Sequence, residues 1–233
     1  MNADDSHELY QKIKNHTGNK ILEALFTYGI SVRIFSGNSN QIRQLIKTLE
    51  DPADPAKIMG YENRERCRAL FDELTRHFHN FVCSIKTLVD HTRNLMREDF
   101  VKSEHRREHQ GKIDVMFAAD PFTQFMQDFR DYMTHHSVPI LGISMTLGST
   151  QVNFTPREIF VDLKHLEKAH KWTAPSKKFI EANKPNVRML KLVDDYEQKV
   201  MVFHDEIRQM FQHHYEPEIN EALALNQKWN NAP

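Results

Sequence analysis

From Glu62 to Arg97 the apolar residues recur three and four positions apart: Cys67, Leu70, Phe71, Leu74, Phe78, Phe81, Val82, Ile85, Leu88 and Val89. That period belongs to an α-helix with one face turned to a core. A stripe this long must be covered by other helices, so the chain is constrained toward a bundle. Only seven glycines occur in 233 residues, which favours long helices over a turn-rich all-β fold.

The rest of the chain extends the same reading. A short first helix is expected over Ser6–Asn15, with Ser6 as its N-cap. A second run covers Lys20–Leu49, where Gly29 and Gly37 argue against one unbroken helix. Asp51-Pro52-Ala53-Asp54-Pro55 is a stop. The charged stretch Glu98–Gln110 reads as a mobile linker or exposed half-turn. Asp120-Pro121 then opens a helix, with proline at its first position. That helix ends near Ser137, because Pro139 disfavours helix at Val138. Ile140–Leu147, the turn Gly148-Ser149-Thr150 and Gln151–Thr155 read as a β-hairpin, with a third short strand at Glu158–Leu163. Helices return at Lys164–His170, Ser176–Glu181, Asn186–His214 and Glu218–Trp229. The expected architecture is one mainly α domain over residues 1–233, a helical bundle with a β-hairpin insertion at 139–163.

Thirty-one basic residues nearly cancel 32 acidic ones, which argues against wrapping long duplex DNA but leaves room for a small RNA site. Cys67 and Cys83 form neither a disulfide framework nor a metal knuckle. They fit a reducing, cytoplasmic setting. The polar, acidic start Met1–Ser6 does not resemble a signal peptide, and no apolar run is long enough to span a membrane.

The chemistry is concentrated in Phe129-Arg130-Asp131-Tyr132-Met133-Thr134-His135-His136, at the end of an amphipathic helix. It offers a fixed cation, a polar orienting group and a titratable acid/base, which are parts for phosphodiester cleavage without a metal. On a helical wheel Phe122, Phe125, Met126, Phe129 and Met133 form one packing stripe, and His136 falls on it as a packing residue. Asp131 and His135 lie on the exposed side. Arg130 and His135 are about 140° apart, so one straight helix cannot bring them to one phosphate. Convergence needs an unwound helix end or a second subunit. The competing reading is plainer: solvated charges, and histidines that complement the C-terminal end of a helix dipole.

Other signals are weaker. His105 and His109 are four apart and could face one ion, but no third ligand is set by spacing and Arg106-Arg107 would repel a cation. Asp194-Asp195 and the series Glu216, Glu218, Glu221 read as solvated helix faces. No nucleophile elbow, phosphate-binding loop or dinucleotide fingerprint occurs.

The element Phe129-Arg130-Asp131-Tyr132-Met133-Thr134-His135 resembles the signature of the HEPN superfamily: an arginine, a polar residue directly after it, and a histidine after four to six intervening positions. Four intervene here. The preceding helix carrying Phe81-Val82-Cys83-Ser84-Ile85-Lys86-Thr87-Leu88, and the Val-Pro and β-hairpin that follow, are also similar to bacterial HEPN-like proteins over residues 60–215. The resemblance implies a helical bundle that forms a homodimer with two motifs facing one cleft. It implies a metal-independent endoribonuclease with no cofactor, acting on RNA as a toxin, defence or stress effector, with a cognate antitoxin or regulatory protein as a further partner. His135 would be the general acid/base, Arg130 would hold the scissile phosphate and Asp131 would orient them. The alternative it leaves open is a non-catalytic module that binds RNA, a nucleotide or a protein.

Overall fold

A computed structural model describes residues 3–50, 63–139, 141–147, 154–169 and 171–231. Its helices in chain order are α1 (Ala3–Asn15), α2 (Thr17–Glu50), α3 (Arg64–Arg97), α4 (Ser103–Ile113), α5 (Pro121–His135), α6 (Leu163–Ala169), α7 (Ala174–Asn183), α8 (Met189–His214) and α9 (Glu216–Asn230). A π-helical turn, Asp114–Ala118, joins α4 to α5. The strands are β1 (Leu141–Leu147), β2 (Phe154–Asp162) and β3 (Asn186–Arg188). The chain is a mainly α bundle with a small antiparallel sheet inserted between bundle helices. The expected turn at Gly148-Ser149-Thr150 lies outside the described residues.

Helix α2 is unbroken through Gly29 and Gly37, contrary to the sequence expectation. Its buried residues Ile21, Tyr28, Ser31, Phe35, Ser39, Ile42, Ile46 and Leu49 form one continuous stripe. Each glycine lowers helix stability by about 1 kcal/mol relative to alanine, and packing along this stripe outweighs that. Helix α3 buries the stripe predicted for it from Leu74 to Leu88 and continues it through Thr92, Leu95 and Met96. Val89 alone of the predicted set is exposed.

Two polar clusters help to fix the second half of α2. Arg43 donates to Asp194 on α8 (2.8 Å) and also pairs with Glu197, which accepts from Ser39. At the far end, Glu50 accepts from the backbone N–H of Ile159 on β2 (2.9 Å) and from Arg188 on β3 (2.7 Å). One carboxylate therefore ties two strands to the end of a helix. The sequence missed β3: residues 186–188 read as helix, yet they pair with Phe160–Asp162. The expected third strand at Glu158–Leu163 is instead the second half of β2.

The stretch expected to be a mobile linker is largely helix. Within α4, His105 and His109 are buried while the charged residues face outward. Arg106 donates to the carbonyl oxygens of Met96 (2.8 Å) and Glu98 (3.1 Å), satisfying the end of α3. His105 Nδ1 is 2.8 Å from the Tyr215 hydroxyl, and its ring stacks on His214 with centroids 4.0 Å apart. The charge density was a helix surface, and two imidazoles supplied its narrow inner face.

Gly18 marks a close approach of α2 to α9. A Cβ there would sit 1.8 Å from the Glu218 carbonyl oxygen and 2.8 Å from the Ala222 Cβ. Gly37 has open space around it. Gly18→Ala is expected to destabilise by about 1–3 kcal/mol through overpacking, whereas Gly37→Ala should stabilise by about 0.5–1 kcal/mol. Urea unfolding of the two variants checks this; equal shifts of the same sign would refute the close approach.

The buried histidines give stability a pH dependence. The Tyr28 hydroxyl is hydrogen-bonded to His204 Nδ1 in the interior. Burial, with a smaller contribution from His109, pushes the His204 pKa down from 6.5 to about 3. Burial also lowers His109 and His105. A histidine kept neutral in the fold favours folding fully above its unfolded pKa, and that contribution is lost as pH falls from about 6.5 toward the folded value. Unfolding free energy should hold above pH 7 and fall below about pH 6.5, by up to about 1.4 kcal/mol per pH unit for one such group. His204→Gln should flatten the slope. A wild-type stability that does not change between pH 7.5 and 5 contradicts this account.

Candidate functional site

Helix α5 is set at its start by Asp120. Its carboxylate accepts from the Thr123 backbone N–H (3.0 Å) and hydroxyl (2.6 Å), with Pro121 in the first turn. Burial works to raise the Asp120 pKa, but Lys199 at 2.5 Å and the Thr123 bonds outweigh it and hold the carboxyl below its ordinary range. The buried face comprises Thr123, Phe125, Met126, Phe129, Tyr132 and Met133. Phe129 meets Phe78 of α3 at 5.5 Å between ring centroids, and Phe125 stacks on Phe179 of α7 at 4.6 Å. Asp128 accepts from the N–H and the hydroxyl of Thr173, each at 2.8 Å, which fixes the approach to α7. Helix α5 is therefore held along its length.

Arg130 follows Phe129 directly and lies at the edge of that packed face, with its side chain 20% exposed. Its Nε donates to Asp131 Oδ1 at 3.0 Å, and Nη2 donates to the same oxygen. The guanidinium lies close enough to Cys83 on α3 and Tyr196 on α8 for its charge to favour their ionised forms. Burial dominates at both and raises their pKa values. The Cys83 sulfur is 3.6 Å from His79 Nε2, one helical turn away. Sequence reasoning did not connect Cys83, His79 or Tyr196 with Arg130. The only trace was the four-residue spacing of His79 and Cys83 on α3.

His135 is the last residue of α5 and is exposed. His136 follows as the C-cap and is exposed too, which corrects its reading as a packing residue. The buried place belongs to Tyr132, whose ring lies 6.3 Å from that of His136. The helix does not unwind between the motif residues. Thr134 donates to the Arg130 carbonyl (2.9 Å), and the N–H groups of His136 and Ser137 both reach the Tyr132 carbonyl (2.9 and 3.1 Å). The helical wheel therefore applies as drawn. Arg130 and Asp131 are joined, and His135 lies about 140° around the axis from Arg130 and about 7.5 Å along it.

This arrangement presents a proton-transfer group to solvent and a half-buried cation at one end of an anchored helix. The cation is charge-paired with its neighbour through Nε and Nη2 only, and a guanidinium has five N–H donors. Among the described residues no group of three or more His, Cys, Asp or Glu side chains is placed to hold a metal ion. No described helix is long and apolar enough to cross a membrane. No protein-family model matches the chain, and neither a curated protein nor a solved structure matches it.

Proposed function

We propose that the chain is a HEPN-type, metal-independent endoribonuclease that works as a homodimer. The observation that carries the reading is the Arg130-Asp131-x3-His135 spacing on one unbroken helix, with His135 exposed and Arg130 at the helix edge. One copy keeps the two groups on different sides of α5, so a second copy supplies the complementary group. In the cleft between them, His135 of one protomer takes the proton from an RNA 2′-hydroxyl. The 2′-oxygen attacks the adjacent phosphorus, and the P–O5′ bond breaks. A protonated His135 from the other protomer gives its proton to the leaving 5′-oxygen. The products are a 2′,3′-cyclic phosphate and a 5′-hydroxyl. Arg130 neutralises the phosphate as charge builds on its oxygens, and Asp131 keeps the guanidinium aimed until the phosphate competes for it. Such an activity suits a toxin or a defence or stress effector in a reducing cytoplasm, restrained by a cognate antitoxin or regulatory protein.

A second reading is favoured by the closed Arg130–Asp131 pair. A guanidinium whose charge is already paired with its neighbour suits a non-catalytic HEPN-like module that binds RNA, a nucleotide or a protein.

Labelled RNA with purified protein in EDTA separates the two. Cleavage should persist without metal, leave cyclic phosphate ends, and fall at least about 100-fold in His135→Ala, the lower end of what general acid–base catalysis contributes. Arg130→Ala should lose as much. A DNA strand of the same sequence should remain intact. RNA that stays whole with wild type, or is cut equally by both variants, sinks the nuclease reading.

A further inference from the structure

We propose that the interior of the bundle contains a binding site for a small monocarboxylate with a compact apolar body, bound between His109 and Arg93. The site is a cavity of about 110 Å³ bounded by α3, α4, the π-helical turn, α5 and α8. Its walls are mostly apolar, with Leu88, Ile113, Phe117, Val200 and Phe203 among them. Among its polar groups, two have chemistry to spare. His109 is 6% exposed, and its Nε2 is buried with no hydrogen-bond partner among the described residues. Arg93 reaches the same cavity from α3 with a side chain 58% exposed, so it stands at the mouth.

The two groups are electrostatically connected. Burial lowers the His109 pKa, and the charge of Arg93 lowers it further. Both residues line the same cavity, and the surroundings of His109 disfavour its charged form. A carboxylate placed between them accepts from the Nε2–H tautomer and pairs with the guanidinium. A monoanion suits this pair better than a phosphate dianion, because Asp90 already lies 3.4 Å from Arg93 and opposes further negative charge. The apolar walls take the rest of the ligand. An apolar cavity of ~150 Å³ accommodates benzene, so this one, at about 110 Å³, suits a branched body of about four carbon atoms, with the head group at the mouth.

The wall itself is unusual. Ile113 and Phe117 project from the junction of α4 and the π turn Asp114–Ala118. A π turn widens a helix by one residue and recurs at functional sites. Phe117 is held there by an edge-on contact with Phe203 at 5.0 Å and by Lys199 lying over its ring at 6.0 Å. The site is independent of the nuclease reading, since neither His135 nor Arg130 lines it.

Isothermal titration of the full chain with isovalerate, and separately with 3-methyl-1-butanol, tests this. Isovalerate should bind saturably at one site per chain. The alcohol, which keeps the branched body and loses the charge, should bind at least about tenfold more weakly, as should isovalerate to Arg93→Gln. The exposed Arg93 side chain makes that variant a fair test of binding rather than folding, and circular dichroism verifies it. His109→Leu should weaken isovalerate similarly; if it fails to fold, Arg93→Gln decides alone. No saturable isovalerate binding up to about 10 mM, equal affinity for the alcohol, or full affinity in Arg93→Gln would each overturn the proposal.

Discussion

A chain of aromatic rings holds the long helices in register. Phe35 of α2 stacks on Phe81 of α3 at 5.5 Å, Phe81 lies beside Phe78, and Phe78 meets Phe129 of α5. Phe129 stacks on Phe125, which continues to Trp172 and Phe179. Tyr196 of α8 meets Phe35 and Phe81 edge-on. Each pair adds about 0.5–1.5 kcal/mol beyond its buried area, but the geometric effect matters more. Rings have few rotamers, so five helices, α2, α3, α5, α7 and α8, share one rigid seam.

The motif helix inherits its position from that seam. Phe129 is the residue immediately before Arg130, so the backbone that carries the guanidinium is held by a buried stack. Asp120 fixes the start of the helix and the Tyr132 carbonyl closes its end. The half-buried cation and the exposed imidazole therefore sit on different faces of one continuous, anchored helix.

Much of the bundle was legible because its signal is periodic. The α3 stripe, the Asp120-Pro121 start and the Val138-Pro139 end were readable from spacing and backbone chemistry alone. What escaped was set by contacts distant in sequence. Gly29 and Gly37 looked like breaks because the stripe that overrides them is recognisable only once α3, α8 and α9 cover it. Residues 186–188 have no strand character of their own, and their pairing with Phe160–Asp162 draws them into the sheet. His105 and His109 looked like part of a charged linker because nothing local announces that Tyr215 and Phe203 lie above them. At the motif, the wheel gave the separation of Arg130 from His135 correctly, but the Arg130–Asp131 pairing and the surroundings of Cys83 and Tyr196 depend on tertiary packing.

The 34 residues of α2 form a rod about 50 Å long. Near one end Gly18 presses against the backbone of α9, and at the other Glu50 grips β2 and β3. Between these ends, in its second half, Ser39 and Arg43 fasten it to α8. One helix therefore joins α9, α8 and the sheet, so the three share a single backbone strut.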